Sequence, residues 1–415
     1  MPRSSRLTIK YQVCAIFRVM IFLSVCLSSA IFGYYAYSSN KNQLSEIDGN
    51  SLTHLLYGFA YLTGDGTVTP GLNQYEIDTS ITTKFNCKCG DACLDGVYGE
   101  IFQFKTKYPH VKTLISIGGW TWSTYFSQVF ASPVLRRNFV ESATTFMIKY
   151  GFDGIDVDYE FPEFKDREPG FTYSANDFQN MLTFCKELKA YWASKSIDGL
   201  LTLAMQAAGK PKFNALVDKF DLYVDYYLVM NYEYHHASKV ARHHSNLNYL
   251  STDSVDMKSS IVSGMDKYEW KDTAKVILGI PAYSNVFHVT GIRKNMDNIK
   301  GLGSVGTKDP NLHYIYKDIR EQDLMVEWDQ KRGACSYFDE VNMNFHGFDC
   351  VNSVKQKAAY VKSNKLGGMF IWEIGQDSLY KYSLLKTMSN ELTLTHTPRK
   401  TCIEKTDYCN LKCQK

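Results

Sequence analysis

Several common signatures are missing from this chain of 415 residues. No basic block is interleaved with aromatics and the net charge is only +3, so nucleic acid is not an implied partner. No Gly-rich phosphate loop follows the first apolar run, which argues against an open dinucleotide-binding sheet. The histidine pairs His235, His236 and His243, His244 lack metal-ligand spacing and are read as loop or rim residues. Cys87, Cys89 and Cys93 have no matching second pair, which ranks zinc below disulfide formation. No Asn-x-Ser/Thr acceptor occurs, so N-glycosylation is not expected. Neither a cofactor nor a metal is expected.

One apolar run stands near the start, VMIFLSVCLSSAIFG at residues 19–33. It follows Arg3, Arg6, Lys10 and Arg18 and ends in the small residues Ser28 and Ala30, the layout of a secretory signal cleaved near Ala30. The run is short for a membrane span, and an uncleaved anchor over residues 12–37 is the alternative. Cleavage is preferred because residues 31–37, IFGYYAY, make a good first strand. The expectation is therefore a secreted, extracellular monomer, with no membrane contact in the mature form unless the anchor is retained.

Secretion changes how the 11 cysteines read, since removing Cys14 and Cys26 leaves nine. An odd number leaves one thiol unpaired, and Cys185 lies on the apolar side of a helical pattern where a buried free cysteine is ordinary. The other eight can form four disulfides. Cys335 with Cys350 is one expected pair, and the Cys87, Cys89, Cys93 cluster with Cys402, Cys409 and Cys413 supplies the rest.

Apolar β-rich runs at 31–37, 53–62, 111–119, 151–160, 200–208, 222–232, 275–283 and 367–374 alternate with helical patterns. About eight such runs is the number that closes a βα barrel. The fold class is α/β: a (β/α)8 TIM barrel over 31–284 and 339–393, preceded by the signal at 1–30. A small α+β insertion occupies 285–338 between the seventh and eighth strands, and a cysteine-bearing tail occupies 394–415. Ser174 followed by Asp177 resembles a capping box, and Phe178, Met181, Leu182, Cys185, Leu188 and Trp192 keep the inward period of the next helix.

The segment FDGIDVDYEFP at 152–162 carries the chemistry. Side chains alternate along a strand, so Asp156, Asp158 and Glu160 share one face while Ile155, Val157 and Tyr159 share the other. A solvated face would explain such a run, but a strand between helices is normally covered on both sides. Neighbouring rungs stand roughly 7 Å apart, where two unit charges repel by about 2.4 kcal/mol at an effective dielectric near 20. At least one carboxyl must then keep a proton, the state that serves a general acid. A metal cage ranks lower, because a straight strand spreads its ligands and no ligand-rich loop is nearby.

Barrel enzymes carry their reactive groups at the carboxyl ends of strands. Glu160, Tyr232, Glu233, Tyr283 and Trp372 all fall at such ends and converge on one mouth. Acids, phenols and an indole together suit a sugar, whose ring faces stack on aromatics.

These residues resemble family 18 glycoside hydrolases, the chitinase family. The fourth-strand pattern Asp-x-x-Asp-x-Asp-x-Glu is met by Asp153, Asp156, Asp158 and Glu160, and the third-strand Ser-x-Gly-Gly by Ser116, Gly118 and Gly119, with Trp120 next. Met230 and Tyr232 fit the sixth-strand motif, with Glu233 in place of the usual Asp, while GIPAY at 279–283 and Trp372 also fit. The resemblance covers roughly residues 31 to 392. It implies chitin or a chito-oligosaccharide as substrate, and catalysis by Glu160, Asp158, Asp156 and Tyr232. Phe59, Gly119, Trp120, Met230, Glu233, Tyr283 and Trp372 are then expected to line the sugar sites. Asp153, Ser116 and Gly118 are structural parts of the motifs, Asp153 because its parity points it away from the barrel centre. A non-hydrolytic lectin and an enzyme that trims N-linked glycans are the alternatives.

Overall fold

The computed structural model describes residues 29–38, 41–71, 96–165, 170–235, 238–253, 259–292, 298–309, 313–322 and 324–394. The expected signal and anchor, His236, the Cys87–Cys93 cluster and the cysteine-bearing tail lie wholly or mostly outside these residues.

Fourteen strands follow in chain order: β1 Ala30–Tyr35, β2 His54–Leu62, β3 Val68–Thr69, β4 Lys112–Gly118, β5 Gly154–Asp158, β6 Leu200–Met205 and β7 Tyr226–Val229. The rest are β8 Val276–Pro281, β9 Asn285–Val289, β10 Gly306–Lys308, β11 Glu327–Asp329, β12 Ala334–Asp339, β13 Asn344–Phe348 and β14 Gly368–Trp372. Eight of them pair in parallel in the order β1-β14-β8-β7-β6-β5-β4-β2, and β1 also pairs with β2, so the sheet closes into a (β/α)8 barrel. Every apolar run expected to be a strand supplies one.

Two sets of side chains divide the barrel. Phe32, Tyr34, Leu56, Leu114, Leu228, Ile277 and Phe370 fill the centre. Ile31, Leu55, Ile115, Ile155, Leu201 and Leu278 join the larger outer core with the helices. Both faces of each strand are thus covered, which is why the strands read as near-continuous apolar runs.

Local chemistry sets the helices. Pro133–Tyr150 starts behind Ser132, whose side chain accepts the Leu135 N–H, has Pro133 in its first turn, and stops at Gly151 in the left-handed conformation (φ 74°). Asp177–Ser194 buries Phe178, Met181, Leu182, Cys185, Leu188 and Trp192 as its period predicts. Only half of its expected capping box forms: Asp177 accepts the Ser174 N–H at 3.0 Å, but the cap position is Asn176, without a side-chain capping bond.

The insertion is a five-stranded antiparallel sheet, β10-β9-β13-β12-β11, with a helix at Tyr316–Glu321. It does not end at residue 338, as the sequence suggested, but runs to Phe348. That boundary falls inside β12, whose residues Cys335–Asp339 pair with Asn344–Phe348 of β13. A turn at 340–343 hides the return strand from a reading of apolar runs. Cys335 and Cys350 form the expected disulfide, and Cys185 is free and buried.

Candidate active site

The site grows from lateral register. Ser116 on β4, Asp156 on β5 and Thr202 on β6 are paired neighbours, so all three point to the barrel centre. Asp156 is fully buried and accepts three hydroxyl hydrogens: from Ser116 at 2.7 Å, Tyr34 at 2.9 Å and Thr202 at 2.5 Å. Burial pushes its carboxyl up to about 6, against the downward pull of those donors.

Asp158 stands one rung nearer the mouth and is also buried. Among the described residues its Oδ1 finds no hydrogen-bond donor. Burial first, and then the neighbouring Glu160 and Asp156, hold this carboxyl well above the ordinary carboxylate range. A buried oxygen without a donor costs about 1–3 kcal/mol, a cost that a bound group with an N–H can relieve.

Space for this pair comes from two glycines. Gly118, at φ 112°, pairs with Asp158, and a Cβ there would run into the Asp158 carbonyl oxygen. Gly119, at φ 79°, lies against the ring of Phe59.

Glu160 lies two residues beyond the end of β5, not within the strand as its alternation suggested. The ladder runs out here: the Asp158 carbonyl still takes the Gly119 N–H at 2.8 Å, a bond in register with the Gly118–Asp158 pair. Ser123 completes the turn: its hydroxyl lies 2.8 Å from Gly119 O and 3.1 Å from Asp158 O, and it accepts the Glu160 N–H at 2.9 Å. Glu160 is left half-buried at the mouth.

The aromatic wall also departs from simple alternation. Leu55 and Tyr57 of β2 face the helices, yet so do Ala60 and Leu62, because the pairing with β4 slips between Gly58 and Ala60. This bulge places Phe59 beside Trp372, with rings stacked 5.5 Å apart. Trp372 meets Tyr34 at 5.4 Å, and Tyr232 meets Phe370 at 6.2 Å and Tyr283 at 6.3 Å. Met230 packs against the same central cluster. Trp120 is 47% exposed, which puts it on the rim, 6.4 Å from Phe161. Tyr232 lies close enough to Glu160, Asp158, Glu233 and Asp156 that burial first and then their charges raise its phenol well above the ordinary value.

Glu233 faces the insertion. Its carboxylate takes the Tyr283 hydroxyl at 3.0 Å, the Asn285 amide at 3.3 Å and Lys308 Nζ at 2.5 Å. Its backbone is left-handed (φ 61°), a conformation uncommon for a residue with a Cβ. Burial works to raise this acid, but the facing His244 and Lys308 bring it down to about 2. His244 is itself pushed down to about 3 by burial and is uncharged at neutral pH, so Lys308 carries the attraction there.

Other positions resolve in turn. Asp153 stands outside the barrel centre at the base of β5, where it accepts the Thr113 N–H at 2.9 Å and pairs with Lys105 at 2.8 Å. His235, His243 and His244 are buried rather than rim residues; the last two lie on segment 238–248, which threads between the barrel and the second sheet, where Ala241 N–H bonds Ser304 O and His243 lies 3.3 Å from Asp329. Sequence reasoning missed Tyr34, Thr202, Ser123 and Lys308. Inward parity on β1 and β6 could have found the first two, whereas Lys308 belongs to the insertion and no motif marks it.

A closed βα barrel whose mouth gathers buried carboxyls and stacked aromatics is the framework of a sugar-cleaving enzyme. The chain belongs to glycosyl hydrolases family 18, whose family model matches residues 30–377. It is a glycoside hydrolase of the chitinase type. Endochitinase 1 of Metarhizium robertsii is 30% identical over 370 residues, covering 84% of this chain and 81% of that one. Chitinase A1 of Niallia circulans is 28% identical over 419 residues, covering 88% of this chain, which spans only 58% of that relative. A solved chitinase structure from Bacillus thuringiensis shares the fold, with a TM-score of 0.78 at 24% identity over 90% of this chain and 71% of that one.

Proposed function

We propose that this chain is a secreted, monomeric chitinase that hydrolyses β-1,4-linked N-acetylglucosamine polymers by substrate-assisted retaining catalysis. The observation that carries the reading is Asp158, a buried carboxyl between Asp156 and Glu160 whose Oδ1 has no donor among the described residues. In this reading Glu160 gives its proton to the glycosidic oxygen as that bond to the anomeric carbon breaks. The carbonyl oxygen of the substrate's 2-acetamido group forms the new bond to that carbon. Asp158 accepts the acetamido N–H and steadies the positive charge, Asp156 shares its proton, and Tyr232 holds the acetamido carbonyl. Glu160, now a carboxylate, takes a proton from the water that opens the intermediate, restoring the acid. Phe59, Trp120, Met230, Tyr283 and Trp372 line the sugar positions, with Trp372 beneath the reacting ring.

The substrate assignment draws on the named chitinases among the relatives and on the aromatic mouth. Secretion rests on the basic and apolar start of the chain; among the described residues no helix is long and apolar enough to cross a membrane.

The test is incubation with a chitin hexamer and a defined N-glycan side by side, with the anomeric form of the products followed. Initial β-anomer from the hexamer is expected. Release from the glycan alone moves the protein to the trimming class, and binding without product makes it a lectin. Glu160→Gln should keep the fold and oligosaccharide binding while cutting turnover by at least about a hundredfold; activity above a few per cent would sink the acid assignment.

A further inference from the structure

We propose that Asp177 is a positioning residue for the reaction: its carboxylate fixes the turn that aims Glu160 at the mouth. The inference rests on Glu160 as the proton donor. Asp177 is the first residue of the helix Asp177–Ser194 and is completely buried. An acid in a first helical turn ordinarily serves its own helix. Here only the Ser174 N–H belongs to the helix entry, and the other three donors come from elsewhere.

Its Oδ2 takes the Tyr159 hydroxyl at 2.9 Å, the Glu163 N–H at 2.9 Å and the Ser174 N–H at 3.0 Å, and its Oδ1 takes the Ser127 hydroxyl at 2.7 Å. Tyr159 and Glu163 bracket Glu160. Glu163 sits in the left-handed conformation (φ 63°), and the Phe164 N–H returns to Phe161 O at 3.2 Å, so this is a tight turn with an unfavourable backbone residue. Ser123 holds the turn through the Glu160 N–H, and Asp177 holds it at both flanks of Glu160. The two anchors grip different residues of the same short segment. Rotation of the Glu160 backbone then breaks bonds to one anchor or the other.

The donors are unequal, and the inequality makes the idea testable. Tyr159 belongs to the turn, whereas Ser127 belongs to the helix Phe126–Ala131 and has no bond to it. Tyr159→Phe and Ser127→Ala each delete one hydroxyl donor to the same carboxylate. Tyr159→Phe keeps the ring, which stacks on Phe126 at 5.1 Å. A purely structural Asp177 predicts matching behaviour in both variants. A positioning Asp177 predicts a split.

The experiment measures kcat, KM and thermal unfolding of both variants on the chitin hexamer, with Glu160→Gln alongside. Expected are similar small losses of Tm in both, an about tenfold fall in kcat with unchanged KM in Tyr159→Phe, and kcat within about twofold of wild type in Ser127→Ala. Equal kcat in the two variants, with turnover lost in Glu160→Gln, overturns the role of Asp177 and leaves Glu160 as the donor. Turnover retained in Glu160→Gln overturns the donor reading and this inference with it. Asp177→Asn, which puts an amide N–H against donors, should lower kcat further than Tyr159→Phe if it folds.

Discussion

Two groups of acids, one in the barrel centre and one at the junction with the insertion, are held by opposite kinds of partner. In the barrel centre Asp156 is satisfied by three neutral hydroxyls and Asp158 by less, with no Lys or Arg paired to either among the described residues; both carboxyls are pushed up by burial. At the junction with the insertion, one half-buried acid and three buried acids each have a cation. Glu233 meets Lys308, Asp253 and Asp329 share Arg332, and Asp349 meets Lys357 with both side chains fully buried. Burial alone therefore does not decide the state of a carboxyl. The barrel centre holds its carboxyls with hydroxyls and no cation, and the junction pairs its acids with cations that tie the barrel to the second sheet.

The sharpest way to break this contrast is to remove a cation. Arg332→Met leaves Asp253 and Asp329 buried without their partner and should cost about 3–5 kcal/mol in urea unfolding. A loss below about 1 kcal/mol would mean that water reaches the site and that the junction is not electrostatically closed.

Next in size is a pH effect in the centre. Because Asp156 is raised to about 6 from an ordinary 3.8, the folded state binds more protons than the unfolded chain between these values, and stability must fall as pH rises through that window. The size is about 3 kcal/mol. Asp156→Asn should flatten this part of the curve of stability against pH. An unchanged slope would place the titration on another group.

The smallest effect is at Glu233. This acid is lowered to about 2, so it contributes stability above its unfolded value that disappears as pH falls through about 2. Its side chain is 35% exposed, so solvent screens much of that contribution. Lys308→Met should move the Glu233 titration upward toward the ordinary carboxylate range, as followed by carboxyl NMR; Lys308→Arg should restore it. No movement would assign the depression to His244 and Tyr283.

Sequence patterns located the barrel because closure demands eight apolar strands, and each of the eight runs contributed one. They also set Tyr232, Glu233, Tyr283 and Trp372 at strand ends around one mouth, and Asp156 and Asp158 on one face of a strand. They failed where the backbone leaves regular geometry. Glu160 falls past the strand end, Phe59 arrives through a bulge, and β7 stops at Val229 although the apolar run continues to Tyr232. Alternation is a rule for ladders, and a cleft is built where ladders stop. The cations of the junction were invisible for a different reason: Lys308 reaches Glu233 across 75 positions of sequence, and no local pattern encodes such a contact.

The same topology has a consequence for synthesis. Ala30 of β1 pairs with Gly368 of β14, a separation of 368 − 30 = 338 residues. At about 5–20 residues per second a ribosome needs roughly 20–70 s to cover that distance. During this interval β1 has β2 on one side and an open row of amides and carbonyls on the other. The nascent chain carries that row unpaired until its last barrel strand emerges.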